Sequence, residues 1–331
     1  MELIQLPGVH AGILHIGDPH STSRRPGTRN DRNFMLTVIE KLEQVAEIAN
    51  SRNLISIILG DLFDREDDTN PEMMTRLIRA LNMFIEKPFV MAGNHDMSET
   101  SLTDDTALAI LREAGVVSVI DQSGFFLVAQ IDDGNEQKTI AVGGSPHGAF
   151  IPTDVASMLA DSGIKADSVG WITHEDMAFD GAYPGAKEFF EIKGCDWVVN
   201  GHMHLTKKPV KSGRTIWHNP GNITRLSKDC ADHVPSVWDM NVSGGMTQLP
   251  LRYVKDVFDA VKGSVVANKD GAMIDKTSAF VEMLKVCSIA AEGKTQDGSV
   301  LLEDIALVCA ERKASVGAIN ILSALHGMAV A

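Results

Sequence analysis

Five short polar motifs each close an apolar run, and together they carry the nitrogen and oxygen donors of a divalent-metal site. Asp18-Pro19-His20 follows Ile13-Leu14-His15-Ile16, and Gly60-Asp61-Leu62-Phe63-Asp64-Arg65 follows the apolar stretch 54–59. Gly93-Asn94-His95-Asp96 follows Phe89-Val90-Met91-Ala92. His174-Glu175-Asp176 follows 169–173, and Gly201-His202-Met203-His204 follows Trp197-Val198-Val199-Asn200. The donors Asp18, His20, Asp61, Asn94, His174, His202 and His204 include no thiolate. That set suits manganese, iron or zinc rather than copper(I) or a structural zinc knot. Seven donors are too many for one tetrahedral ion but fit two ions sharing a bridging carboxylate. Two such ions clamp a phosphoryl group and supply hydroxide at neutral pH. One Asp-x-His or one close histidine pair is a common polar loop; five such motifs, each abutting an apolar run, are not.

These motifs need strand ends to hold them. Leu54–Leu59, Phe89–Ala92, 169–173 and 197–200 read as buried strands, with further strands at 116–120, 125–131, 139–143 and 215–217. The acidic turn 132–135 reads as a hairpin. Helices are predicted over 34–49, from Pro71 through Met73–Ile85, and over 104–113. Strand-to-helix alternation followed by short strands indicates an α/β layered domain over 1–250. In open α/β sheets, sites collect beyond the carboxyl ends of strands, where all five motifs fall. Residues 251–331 read as an accessory region, a cap or partner-docking piece, with amphipathic helices over 277–291 and 299–313 and an apolar tail from 315. His147, in Ser145-Pro146-His147-Gly148, reads first as a packing or surface residue, with lining of the site as the second reading.

Composition sets the remaining bounds. The 331 residues are 44% hydrophobic with a net charge of −14, as befits a soluble globular protein that repels polyanions as a whole. The four cysteines, Cys195, Cys230, Cys287 and Cys309, form no CxxC pair, which favours a reducing compartment. With no secretory signal and no apolar run long enough to span a bilayer, the expected location is the cytoplasm, with no membrane partner.

The ordered set Asp18-x-His20, Gly60-Asp61-x-x-Asp64-Arg65, Gly93-Asn94-His95-Asp96, His174 and Gly201-His202-x-His204 resembles the calcineurin-like metallophosphoesterases over about residues 13–225. The resemblance implies a four-layer αββα sandwich around a dinuclear centre. It places Asp18, His20 and His204 on one ion and Asn94, His174 and His202 on the other, with Asp61 bridging. It leaves His95 as transition-state stabiliser or general acid, oriented through its ring nitrogen by Asp64. Arg65 is expected to pair with acidic neighbours.

Within that family the plan is most similar to the SbcD-type DNA repair exonucleases. The similarity rests on the long polar loop after the first motif, the stretch Phe179–Gly185 after His174, and the C-terminal region. Basic residues flank the motifs: Arg24, Arg25, Arg29 and Arg32 after the first; Lys207, Lys208, Lys211, Arg214, Arg225 and Lys228 after the last. Of these, Arg24, Arg25, Lys207, Lys208 and Arg225 are taken as backbone-phosphate contacts. The expectation is a manganese-dependent DNA nuclease, with Fe2+, Zn2+ or Mg2+ as alternative ions. An SbcC-like ATPase or a second copy of the chain would be its partner. Asn219-Pro220-Gly221-Asn222 departs from the Pro-Gly-Ser turn common in the family and resembles small phosphodiesterases as much as nucleases. A phosphodiesterase of small nucleotides is therefore the rival expectation. An inactive binding scaffold is the remote one, since every ligand position is filled.

Overall fold

The apolar runs become the strands of two facing sheets, and their polar ends come out on one side. The computed structural model describes residues 3–258, apart from positions 99 and 183. In chain order the elements are strands β1 (Ile4–His10) and β2 (Gly12–Ile16), helix α1 (Phe34–Arg52), strand β3 (Leu54–Ile58), helix α2 (Pro71–Leu81), strand β4 (Phe89–Met91), helix α3 (Ala107–Glu113), strands β5 (Ser118–Ile120), β6 (Gly124–Asp132) and β7 (Gln137–Ser145), helix α4 (Val155–Ser162), and strands β8 (Ser168–Thr173), β9 (Trp197–Asn200), β10 (Lys207–Ser212), β11 (Thr215–Asn219), β12 (Ser236–Met240) and β13 (Met246–Pro250). One sheet has six strands in the order β13-β12-β2-β3-β4-β5, and the other seven in the order β1-β6-β7-β8-β9-β11-β10.

Residue alternation along the strands builds four layers. On β3, Leu54 and Ile58 join a core with α1, α2 and α3, while Ile55 and Ile57 join a second core between the sheets. On β8, Ile172 faces that inter-sheet core, whereas Val169 and Trp171 pack outward with Val155 of α4 and with Trp217. The period-2 alternation of side chains serves both faces of each sheet, which is why the central strands are apolar throughout. The order is helices, sheet, sheet, helix and loops: the αββα sandwich.

Local signals set the helix ends. Asn33 caps α1 through its side chain, accepting the Leu36 N–H at 3.2 Å, and Asn53 closes the helix in the left-handed region. Pro71 opens α2 behind the Asn70 cap, and α2 stops at Leu81, short of the predicted 85. Helix α3 starts at its Thr106 cap rather than at 104. Five elements have no forerunner in the sequence reading: β1, α4, β10, β12 and β13. Strand β10 corrects the view of 205–228 as a basic loop. Lys207, Lys208 and Lys211 lie on the edge strand of the seven-stranded sheet, where lysines and Pro209 keep an open edge solvated.

Residues 251–258 pack on this unit, which runs Met1–Asp259. Leu251 and Val257 are buried, and the Asn30 N–H donates to the Val257 carbonyl at 2.9 Å. The helices predicted at 277–291 and 299–313 and the tail from 315 lie outside the described residues. Among the described residues, no helix is long and apolar enough to cross a membrane.

The buried Lys41 of α1 is a stability determinant that titrates. Burial first, then the neighbouring Arg225 and Arg29, push its ammonium from 10.5 down to about 7. Between those values the unfolded chain binds the proton and the folded chain does not, so stability rises with pH across that window. Lys41→Met should raise the melting temperature by several degrees at pH 6–7, with the gain shrinking as pH climbs toward 10. A gain independent of pH, read by thermal unfolding at several pH values, would show that the charge at position 41 is not responsible.

Candidate metal centre

Each donor stands just past a strand end, and most do so in a strained backbone conformation. Among the described residues, five non-glycine residues have positive φ: Asp18 (27°), His20 (48°), Asn53 (56°), Asp61 (45°) and His202 (70°). Asn53 closes a helix; the other four are all candidate ligands. Holding an L-residue there costs free energy that surrounding structure must over-determine, and such residues concentrate at functional sites. Glycines make room for the convergence. Gly60 has φ +122°, and a Cβ on it would fall 2.2 Å from the His174 ring. A Cβ on Gly93 would fall 2.1 Å from Asp61 Oδ1 and 2.4 Å from the Asp61 backbone nitrogen.

Asp61 occupies the middle. Its Oδ2 lies 3.2 Å from His174 Nε2 and 3.7 Å from His20 Nε2. Around it stand two three-residue groups with ligand atoms within 4.8 Å: His20, Asp61 and His95, and Asp61, His174 and His202. His20 Nε2 and His204 Nε2 approach to 2.9 Å, and His202 Nδ1 lies 3.1 Å from Asn94 Oδ1. Asp18 Oδ1 is 3.8 Å from His174 Nδ1. All seven predicted donors therefore meet in one place.

The electrostatics follow from crowding acids and imidazoles out of water. Burial works against charge on His174, but Asp61 and then Asp18 overcome it and raise the ring to about 10. Burial would likewise raise Asp61, yet His174 and His20 hold its carboxyl far below the ordinary range. His202 is lowered to about 4 and His204 to about 3, by burial first and then by His174 and His20 respectively. His202 and His204 are thus held neutral, as imidazole ligands of a divalent cation must be, whereas on His174 a cation would take the place of the proton that the carboxylates hold there. The fit is testable on orphaned atoms: both Asp18 carboxylate oxygens are buried without a hydrogen-bond partner, while His20 Nδ1 and His174 Nε2 face only the carboxylates of Asp64 and Asp61. Buried polar atoms are seldom left unpaired, and these carry the donor chemistry of manganese, iron or zinc.

Further residues position the ligands. The His174 Nδ1–H donates to the Leu59 carbonyl at 2.8 Å, which leaves Nε2 as the coordinating nitrogen. The Asn200 carboxamide accepts from Thr173 Oγ1 at 2.8 Å and from the Glu175 N–H at 3.1 Å. It donates to the Glu175 carbonyl at 2.9 Å and lies 3.1 Å from Asn219 Oδ1. Asn219 in turn donates to the carbonyls of Met203 and Leu205. The two asparagines thus tie the His174 loop to the His202–His204 loop. Asp96 does the same for the other sheet, accepting backbone N–H groups from Leu62, Phe63 and Gly93. None of these roles was drawn from the sequence, although Asn200 and Asp96 each sit two residues from a named ligand.

Several expectations change. Asp64 does not orient His95 with its carboxylate: the His95 Nδ1–H donates to the Asp64 backbone carbonyl at 2.7 Å, while the carboxylate lies 3.4 Å from His20 Nδ1. The tautomer of His95 is still fixed, but by the main chain. His147 packs beside the centre: its Nδ1 meets the His174 carbonyl at 3.0 Å and its ring stacks on His202 with centroids 5.7 Å apart. Arg65 pairs with Asp67 at 2.9 Å.

The basic set divides. Lys207 lines a cleft of about 320 Å³ over the centre, with Asp61, His95, His202, Asp176 and Asp229. Arg24, Arg25 and Lys208 are exposed outside it. Arg225 cannot reach a substrate: it is 2% exposed, and its guanidinium donates to the carbonyls of Ala231, Val254 and Lys255. Arg29 is buried too, in an ion pair with Asp31. Arg225→Met should therefore cost stability, about 1–3 kcal/mol for the stranded carbonyls, while leaving KM unchanged. A raised KM at normal stability in urea unfolding would restore Arg225 to the binding surface.

The comparison with curated proteins gives no match. Among solved structures, the chain is similar to the 5'-nucleotidase precursor from Thermus thermophilus, at 12% identity and a TM-score of 0.43, over 85% of this chain and 59% of that one. It is also similar to the NAD nucleotidase of Haemophilus influenzae, at 14% identity and a TM-score of 0.40, over 83% of this chain and 56% of that one. The chain thus spans little more than half the length of either. Residues 11–205 match the calcineurin-like phosphoesterase family, and with that match covering most of the chain and its motifs converging on one set of donors, the protein belongs to the calcineurin-like phosphoesterases and is a metal-dependent hydrolase.

Proposed function

We propose that this chain is a two-metal phosphodiesterase that hydrolyses nucleotide phosphodiester bonds. The observation that carries the proposal is Asp61, shared between two groups of imidazoles, 3.2 Å from His174 and 3.7 Å from His20. In this reading Asp18, His20 and His204 hold one ion, Asn94, His174 and His202 the other, and Asp61 bridges. When bound, the ions offset phosphoryl charge and acidify water. The chain's own contribution is orientation and proton transfer. The Leu59 carbonyl aims His174, Asp64 aims His20, and His95, with its Nδ1 held by a carbonyl, keeps Nε2 for the leaving oxygen.

Small nucleotides fit the cleft better than duplex DNA. Arg29 and Arg225 are withdrawn into the interior, and Asp176 and Asp229 line the cleft together with Lys207. Those carboxylates and a net charge of −14 oppose a long polyanion. The nuclease reading, with manganese and an SbcC-like ATPase or a second copy as partner, draws its support from exposed Arg24, Arg25 and Lys208. The test is a panel: chelated protein reconstituted with manganese, iron, zinc or magnesium, and assayed on bis(p-nitrophenyl) phosphate, nucleotide diesters and end-labelled duplex DNA. Metal-stimulated hydrolysis of the small diesters with DNA left intact is the expected result. DNA shortening at comparable rates would make it a nuclease, and no hydrolysis with any metal would overturn the proposal.

A further inference from the structure

Beside the metal cleft, across Lys207, lies a second pocket that none of the chemistry above uses. It has a volume of about 120 Å³ and is lined by Lys207, Pro209, His218, Pro220, Trp238 and Met246 among others. It forms where the two sheets expose neighbouring edges, β10 and β11 on one side and β12 and β13 on the other. Lys207 lines both this pocket and the metal cleft.

Its walls are apolar and planar, while its inner end is polar and unpaired. The Trp238 indole N–H is already spent, donating to the Pro220 carbonyl at 3.2 Å. That bond fixes the ring and leaves its π surface for contact. His218 is 8% exposed, and its Nε2 has no hydrogen-bond partner. Burial lowers this imidazole to about 4, so it is neutral at physiological pH. Core packing alone does not account for an unpaired imidazole nitrogen at the end of an apolar slot. A flat ligand with hydrogen-bonding edges does.

We infer that this pocket is a nucleobase subsite: a heteroaromatic ring stacks on Trp238 between the prolines, its edge meets His218 Nε2, and its phosphate reaches the metal cleft past Lys207. The inference rests on the nucleotide phosphodiesterase reading and specifies how that reading selects substrates. Stacking of a base on an aromatic side chain adds roughly 10- to 100-fold in affinity, and a single buried ring nitrogen gives the slot a preference among base edges.

The test compares ligands that differ only in the base. Binding of a nucleoside 5'-monophosphate and of ribose 5-phosphate to the full-length, metal-loaded protein is measured by calorimetry. Tryptophan fluorescence is followed in parallel, since Trp171, Trp197 and Trp217 are buried and Trp238 is the partly exposed one. The expected result is at least 10-fold tighter binding of the monophosphate by the unaltered protein, with a fluorescence change on binding. In Trp238→Leu, which keeps apolar bulk on β12, the preference should collapse toward equality. Equal affinities in the unaltered protein, or a preference that Trp238→Leu retains, would overturn the subsite. Hydrolysis of bis(p-nitrophenyl) phosphate by the unaltered protein separates the two levels. Metal-dependent hydrolysis with equal affinities rejects the subsite alone, whereas absent hydrolysis rejects the phosphodiesterase reading.

Discussion

Replacing Asp61 with Asn is expected to strip both ions from the protein and abolish turnover. The carboxylate oxygens do different work: Oδ1 accepts the His95 backbone N–H at 2.9 Å, and Oδ2 lies between His174 and His20. An amide keeps the first contact if its oxygen takes that side. It then turns an NH2 group toward the coordinating imidazoles, where a bridging anion is needed. Losing a mere outer partner of a metal ligand costs 10- to 100-fold in metal affinity, so loss of the shared ligand should exceed about 100-fold for both ions together. Elemental analysis after gel filtration checks this. A variant that keeps one ion and loses the other would show that Asp61 belongs to a single site, and full metal content would remove it from coordination.

His95→Ala should behave in the opposite way, keeping metal and losing rate. His95 belongs to one of the close donor groups, so a ligand role is a real rival. Its Nδ1 is tied to the Asp64 carbonyl, and the ring forms part of the cleft wall. That arrangement serves a group that must deliver a proton toward the substrate. Loss of a positioned general acid costs 10²- to 10⁴-fold in rate. The loss should be largest for diesters with alcohol leaving groups and much smaller for p-nitrophenol, which needs no proton to depart. Equal losses for both leaving groups, together with depleted metal, would make His95 a ligand.

Much of this was legible in the sequence because the site is built from strand ends. An apolar run that stops at Gly-Asp or Gly-Asn-His announces both the strand and the place where its loop turns inward, and the seven side chains named from those motifs lie close together. What was not legible depends on contacts between distant segments. Asn200 and Asn219 are 19 residues apart and read as a strand end and a turn residue with nothing to connect them until β9 and β11 pair. Arg225 reads as a surface cation because nothing nearby shows that carbonyls from 231, 254 and 255 close over it. Strand β12 is short and polar-interrupted, and it gains its place only by pairing with β2 and β13. The lysines of β10 suggested a phosphate grip, whereas edge-strand solvation accounts for most of them.

The donors also divide by sheet. Asp18 and His20 follow strand β2, and Asp61 and Asn94 follow β3 and β4, all of one sheet, while His174, His202 and His204 follow β8 and β9 of the other. Each ion would therefore draw ligands from both halves of the sandwich and act as a cross-link between them, much as a disulfide joins distant parts of a chain. Whatever the metal contributes to chemistry, its affinity then adds directly to the resistance of the two sheets to parting, so a chelator should act on this protein as a denaturant as well as an inhibitor.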